Sequence, residues 1–386
     1  MNLEINISKT MDKENEGNEE FEHRIIRVPE KLRQKRDLQL GEFLRLRNRQ
    51  GEIETLQIAA AFKEDIAENE DCAYVTTDVG QKLFMLNRGL GAIERAKNIT
   101  LGCDPEAFLV DRQTGHIVFA HRLMRKYGDV GNDGALIEFR PSPSTTAEIV
   151  CDNIWQLIKK ARAMLNKVQG GNYSAILGYS SYQGLTAGFH LHYGLPNGLL
   201  GTGVDKKLVG SIMTTAFDYY VGIPSIIPEG NTDVDRRTAK YVSYGKPGDF
   251  RLDYKTFEFR MPGAKNLAHP LLTRGLMALG AVVAEDVASR IKTCTDDFTN
   301  MREIVGQGAI NELYPNIPDI HTFYGTVCNP DITAAKRQFE IVKRDVRKMV
   351  GYKQREHAVE SYFDCINRGI PQGNDIEQNW EGFYNA

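Results

Sequence analysis

The chain has 386 residues, with 48 basic and 51 acidic side chains and a net charge of −3, which argues against a dedicated nucleic-acid binder with its usual basic excess. Hydrophobic residues at 41% and charged residues at 26% are globular values that support a sizeable core. No apolar run approaches a membrane span.

Residues 1 to about 20 are polar and acidic, a composition expected to be disordered, and lack the basic start and apolar core of a signal peptide. Residues 23–50 turn basic. Their favoured reading is a solvated helix with Leu38, Leu40, Phe43 and Leu44 facing inward; a contact to nucleic acid or a phosphorylated partner competes with it. Residues 51–97 mix helix and strand patterns, including CAYVTT at 72–77, and carry no recognisable chemistry. Residues 1–97 are therefore expected to be an N-terminal extension or small accessory domain, and residues 98–386 the main domain. The six cysteines are scattered without a Cys-x-x-Cys pair, which reads as free thiols in a reducing cytoplasm, with Cys103 in the core.

From Ile99 the pattern sharpens. An acidic strand at 101–110, a turn at Gln113-Thr114-Gly115 and HIVFAH at 116–121 predict a hairpin. A glycine-rich loop at 127–135 leads into LIEFR, and Pro141 ends that strand. An apolar stripe over about 146–168, including Ile149, Ile154, Ile158 and Leu165, predicts a helix stopped by Gly170-Gly171. SAILGYSSY at 174–182 reads as a strand, and Gly188 to Gly194 holds a His pair. A second glycine-rich loop at 194–203 reads as a plain surface loop rather than a phosphate cradle, and a helix follows from Asp205 to about Tyr220. Helices are expected over 270–291 and 334–348, and the aromatic tail could dock or fray.

Four of the strands repeat one arrangement. Side chains alternate faces along a strand. Asp104 and Glu106, Glu138 and Arg140, His190 and His192, and Glu258 and Arg260 therefore form same-face pairs, with apolar residues behind them. In one sheet these eight groups share a face, and its four carboxylates call for cations among them. The oxygen-rich donors point to Mg²⁺ or Mn²⁺ rather than zinc, and the arginines to an anionic ligand. Arg236, Arg237, Arg251 and Arg260 cluster nearby, with surface pairing to Asp233, Asp235, Asp249 and Asp253 as the plain alternative for Arg236 and Arg237. There is no Gly-x-x-x-x-Gly-Lys-Ser/Thr loop and no strand-turn-helix Gly-x-Gly-x-x-Gly fingerprint.

The ordered set G-C-D-P-E-x-F, D-G-x-x-I-E-F-R-P, G-x-H-x-H, R-R…Y-G-x-x-G-x-F-R and F-E-F-R-x-P resembles the amidoligases. These are carboxylate–amine ligases with the glutamine synthetase and glutamate–cysteine ligase fold. The nearest likeness is to their phage-encoded branch, the phiEco32-like COOH–NH2 ligase type 2 group, over roughly Ile99 to Met261. The resemblance implies an α+β fold: a mostly antiparallel curved sheet with helices on its outer face. It also implies ATP with Mg²⁺ or Mn²⁺, and carboxylate and amine substrates joined through an acyl phosphate. Carried over by motif, Asp104, Glu106, Glu138, His190 and Glu258 are expected metal ligands, with Asp104 the least secure because many relatives have Glu there. Arg260, Arg251 and His192 are expected to act on the phosphoryl group and substrate, and Arg140 and Arg237, with His192 and Arg260, to hold the nucleotide. A guanidino-kinase-like phosphotransferase and an inactive binding protein on the same fold are the alternatives.

Overall fold

The computed structural model describes residues 2–12, 25–36, 38, 40, 43–47, 53–77, 79–80, 88–95, 99–195, 206–230, 235–238, 245–253, 256–294, 313–329, 331–369 and 373–385. The chain divides into two compact units, residues 1–100 with Ser142–Thr145, and residues 101–141 with 146–386.

The first unit holds a closed six-stranded barrel. Its strands are β1 (Asn2–Ile7), β2 (Ile25–Val28), β3 (Phe43–Arg47), β4 (Ile53–Ala60), β5 (Ala73–Val75) and β6 (Arg88–Arg95), in spatial order β1-β5-β2-β4-β3-β6. Closure leaves no free edge. Alternation fills it: Ile26 and Val28 are buried while Ile25 and Arg27 are half-buried, and Ile5, Leu44, Leu56 and Ile58 join the same core. The Ser8 hydroxyl donates to the buried Asp65 carboxylate at 2.6 Å.

Two expectations change here. The stretch expected to be disordered contributes β1 and a helical turn up to residue 12; residues 13–20 lie outside the described residues. The basic run is not one helix but β2, helix α1 (Glu30–Arg36) and β3. Leu38 and Leu44 are buried as expected, Leu40 is 45% exposed, and the Phe43 side chain is outside the described residues. β-Branched and alternating apolar residues at 25–28 favour the strand over the helix.

The second unit is an α+β fold on an open, largely antiparallel sheet. Its strands are β7 (Thr100–Asp111), β8 (Val130–Asp133), β9 (Leu136–Phe139), β10 (Ser174–Leu177), β13 (Phe189–Gly194), β14 (Phe250–Asp253) and β15 (Thr256–Phe259), with β11 (Ser181–Tyr182) and β12 (Leu185–Thr186) forming a separate small hairpin. The order is β14-β15-β13-β7-β9-β8, and the far half of β7 pairs with β10. HIVFAH forms the expected hairpin only in its first residues and not as a full strand. It turns back on β7 only briefly, with an antiparallel bridge of Val110 to Ile117, the Asp111 amide donating to His116 O at 2.9 Å and the Val118 amide to Leu109 O at 2.8 Å, before a 3-10 helix at Ala120–Arg122; β10 pairs with the same β7 residues along the opposite edge.

The apolar face packs on helices. Helix α2 (Lys63–Glu68) belongs to the first unit; the longer ones of the second are α3 (Ala147–Gln169), α4 (Lys206–Phe217), α5 (Pro270–Cys294), α6 (Ile320–Val327), α7 (Thr333–Val346), α8 (Tyr352–Arg368) and α9 (Ile376–Tyr384), with four-residue helices at Ile223–Ile226 and Asp235–Thr238. Phe217 of α4 meets the rings of Tyr193, Phe257 and Phe259 with centroids 5.0 to 5.3 Å apart. Tyr193 donates from its hydroxyl to the Met277 carbonyl of α5 at 3.1 Å. Gly280 makes this approach fit, since a Cβ there would stand 1.9 Å from that hydroxyl. The tail docks: Trp380 of α9 is fully buried and donates from Nε1 to Leu267 O at 2.8 Å. Ile149, expected on the buried stripe of α3, is 38% exposed, whereas Ile154, Ile158 and Leu165 are buried.

Candidate active site

The register sets the acidic groups in rows. Arg251, Glu258 and His192 lie opposite one another across β14, β15 and β13. Glu106 faces Glu138 across β7 and β9. β13 and β7 adjoin, with the Glu106 amide donating to Gly188 O at 2.9 Å, so the two rows form one polar face.

Asp104 joins the rows. Its Oδ1 lies 3.0 Å from His192 Nε2 and 3.4 Å from His190 Nδ1. Burial favours the neutral acid, but His192 and His190 outweigh it and hold this carboxyl well below the usual carboxylate range. Glu258, 8% exposed at its side chain, has Arg260 Nε at 3.1 Å from one oxygen and Arg251 Nη1 at 3.4 Å from the other. Arg260 also reaches toward Asp249 at 3.9 Å. Arg251 is 64% exposed and forms the rim. Glu138 pairs with Arg140, whose Nη1 donates to Gly128 O at 3.2 Å. Even so, burial and the nearby Asp104 push the Glu138 carboxyl up to about 8. Burial also raises Glu106, whose Oε2 accepts from the Gly188 amide at 2.5 Å.

The donor set fits a divalent cation. Ligand atoms of Asp104, His192 and Glu258 all lie within 4.8 Å of one another. Two carboxylates and one imidazole suit Mg²⁺ or Mn²⁺. The raised carboxyls of Glu138 and Glu106 mark a face with more acid than its own arginines neutralise.

Asp104, Glu106, Glu138, Arg140, His190, His192, Arg251, Glu258 and Arg260 are thus brought together. The imidazole in the three-ligand group is His192; His190 stands behind it, its Nδ1 4.0 Å from Glu258. Arg237 is not at this face. Its side chain is 1% exposed and paired with Glu229, and its Nε donates to Val327 O at 2.8 Å. Glu229 also accepts from the Gly263 amide at 2.9 Å. Its neighbour Arg236, which the sequence left undecided, is the one that reaches the site: Nη2 donates to Arg260 O at 2.9 Å and lies 3.3 Å from His190 Nε2. The adjacent pair of identical residues gave no signal of which would point inward. Asp249 was legible only as a surface partner; in the fold it adjoins Arg260 and caps the Gly245 amide at 2.7 Å. Asp233 and most of the loop at 194–203 lie outside the described residues.

Among curated proteins no sequence match was found. Similar solved structures include a bifunctional glutathione synthetase from Pasteurella multocida, at 12% identity and TM-score 0.31 over 70% of this chain and 52% of that one. Others are GmaS without ligand, at 11% identity and TM-score 0.39 over 92% and 96%, and a novel glutamine synthase homolog, at 10% and 0.32 over 68% and 71%. All three are distant likenesses, and the chain spans about half the length of the glutathione synthetase, 52%. The family profile of the phage phiEco32-like COOH.NH2 ligase, type 2, by contrast matches residues 101–381, nearly the whole second unit with its polar face, and the chain belongs to that family.

Proposed function

We propose that the chain is an ATP- and Mg²⁺- or Mn²⁺-dependent carboxylate–amine ligase working through an acyl phosphate. The observation that supports it most is Glu258, flanked by Arg251 and Arg260 and within metal-sharing reach of Asp104 and His192. An acidic face that also carries arginines suits a metal-loaded triphosphate.

A carboxylate does not condense with an amine in water without activation. In the proposed reaction a substrate carboxylate oxygen attacks the terminal phosphorus of ATP, the bond to the bridging oxygen breaks, and ADP leaves. The amine nitrogen then attacks the acyl carbon, and phosphate and a proton depart, leaving an amide. A divalent cation held by Asp104, His192 and Glu258, with Glu138 and Glu106 beside them, supplies neutralisation of the phosphate charge. Arg260 stabilises the transferring phosphoryl group. Arg251, exposed at the rim, meets the incoming anion. Arg140 steadies Glu138, and His190, backed by Arg236, orients Asp104 and Glu258. The reaction belongs to residues 98–386 and draws on cytoplasmic ATP, with residues 1–97 an accessory unit.

The test is phosphate release from ATP and Mg²⁺ with pooled amino acids and amines, wild type against Glu258→Gln. Release that requires both an acid and an amine and disappears in the variant is the expected result. Equal release by the variant would remove the assignment.

A further inference from the structure

Behind β14, on the side of the sheet away from the carboxylates, lies a cavity of about 180 Å³. That is smaller than a drug-sized pocket, about 300 Å³ or more, and suits a ligand of a few heavy atoms. Phe250, Phe323 and Tyr219 supply aromatic walls, and Asp218, Thr214 and Thr215 polar ones. Asp218 opens a π-helical turn, Asp218–Gly222, an irregularity that is frequent at functional sites.

Apart from the Ser211 hydroxyl, the polar side chains of the lining present acceptors. The Thr214 hydroxyl spends its proton on Gly210 O at 2.7 Å, Thr215 on Ser211 O at 3.0 Å, and Tyr219 on Gln338 Oε1 at 2.9 Å. Their lone pairs remain. Asp218 is 5% exposed. Its Oδ2 takes the Gly248 amide at 2.8 Å, and its Oδ1 has no hydrogen-bond partner among the described residues. A buried acceptor without a partner is costly. Among the described residues no lysine or arginine lines the cavity. Burial and the nearby Asp249 push the Asp218 carboxyl well up, a shift that an adjacent cation would reverse.

We propose that this cavity is a second ligand site, separate from the reaction face, that takes a small primary ammonium with a short apolar body. Three N–H donors meet Asp218 Oδ1 and the threonine oxygens, and the aromatic faces hold the charge and the alkyl chain. Tying the 245–249 turn in place explains one oxygen of Asp218. It does not explain the other. The turn also carries Asp249, 3.9 Å from Arg260, so an occupant adjoins the segment that borders the reaction face.

The probe is n-butylammonium chloride, titrated calorimetrically into the full chain without ATP, with tetramethylammonium as the cation lacking N–H donors. Wild type is expected to bind butylammonium and to bind tetramethylammonium at least about tenfold more weakly. Asp218→Asn, which can still accept from Gly248, should lower butylammonium affinity about tenfold or more. Thr215→Leu, on the half-buried rim, should block binding without touching the charge and decides the matter if Asp218→Asn fails to fold. Glu258→Gln should leave binding unchanged, which separates this site from the ligase reading. No binding at millimolar concentrations, equal affinity in the Asp218 and Thr215 variants, equal binding of tetramethylammonium, or loss in Glu258→Gln would each overturn the proposal.

Discussion

Arg236 Nη2 stands 3.3 Å from His190 Nε2. A guanidinium only donates, so this contact requires a bare Nε2 and puts the imidazole proton on Nδ1, facing Asp104 at 3.4 Å. A ring held this way offers no lone pair toward the carboxylates. His192, with Nε2 3.0 Å from Asp104, can offer one once a cation displaces its proton.

The first prediction follows from that pairing. His192→Ala should weaken Mn²⁺ binding by about 10- to 100-fold, the scale for a disturbed metal site, while His190→Gln should weaken it less. Paramagnetic relaxation titration of both variants checks it; the reverse order would reinstate His190 as the ligand.

Glu258→Gln and Arg260→Ala should each lower turnover by at least about 10²-fold, the scale for losing one transition-state contact. Both side chains sit on one short strand end, 3.1 Å apart, so circular dichroism must show an intact fold for the kinetics to count. Near-normal turnover in either would remove it from the chemistry.

Metal binding should strengthen as pH rises. The Glu138 carboxyl sits at about 8 against an ordinary 4.5. The folded, metal-free chain therefore holds a proton there that the unfolded chain has lost. That contribution to stability is complete below the ordinary value and declines as pH climbs through about 8. A divalent cation needs the ionised form, so the rise in Tm on adding Mg²⁺ should be larger at about pH 8.5 than at about pH 6.5. Thermal melts at the two values test this, and Glu138→Gln should flatten the difference.

Arg237→Met should cost stability rather than nucleotide affinity. Arg237 and Glu229 are 1% and 0% exposed at their side chains, and stripping one partner from such a pair costs about 3–5 kcal/mol. A lower Tm with an unchanged KM for ATP is expected; the opposite pattern would return Arg237 to the nucleotide.

The polar face was legible because a strand's twofold alternation is a strict rule. Glu258 and Arg260 share a face whatever the strand pairs with, and so do Asp104 with Glu106 and His190 with His192. Pairing partners were less legible. HIVFAH has strand-like residues but pairs with β7 only around Val110 and Ile117 before it leaves the sheet, while β10 reaches the far half of β7 from more than 60 residues on, a pairing that local pattern does not encode. Irregular segments were least legible. Arg236 and Arg237 are identical neighbours on a four-residue helix, and only the fold decides which reaches His190 and which reaches Glu229. The barrel was not legible for a related reason: its strand order, β1-β5-β2-β4-β3-β6, joins segments far apart in the chain, and closure is not encoded in any one of them.

The docked tail is a clasp between distant parts of the chain. Asn374 O accepts from the Gly178 amide at 2.8 Å, Asn379 donates to Ala268 O at 2.8 Å, and Glu377 pairs with Arg162 of α3. These bonds tie the exit of β10 and the segment after β15 to residues made more than a hundred positions later. A nascent chain that has extruded every motif of the polar face still lacks the clasp behind it. Residues 373–385 thus complete the support behind the polar sheet from far along the chain, and trimming them should leave every charged group of that face present while lowering Tm.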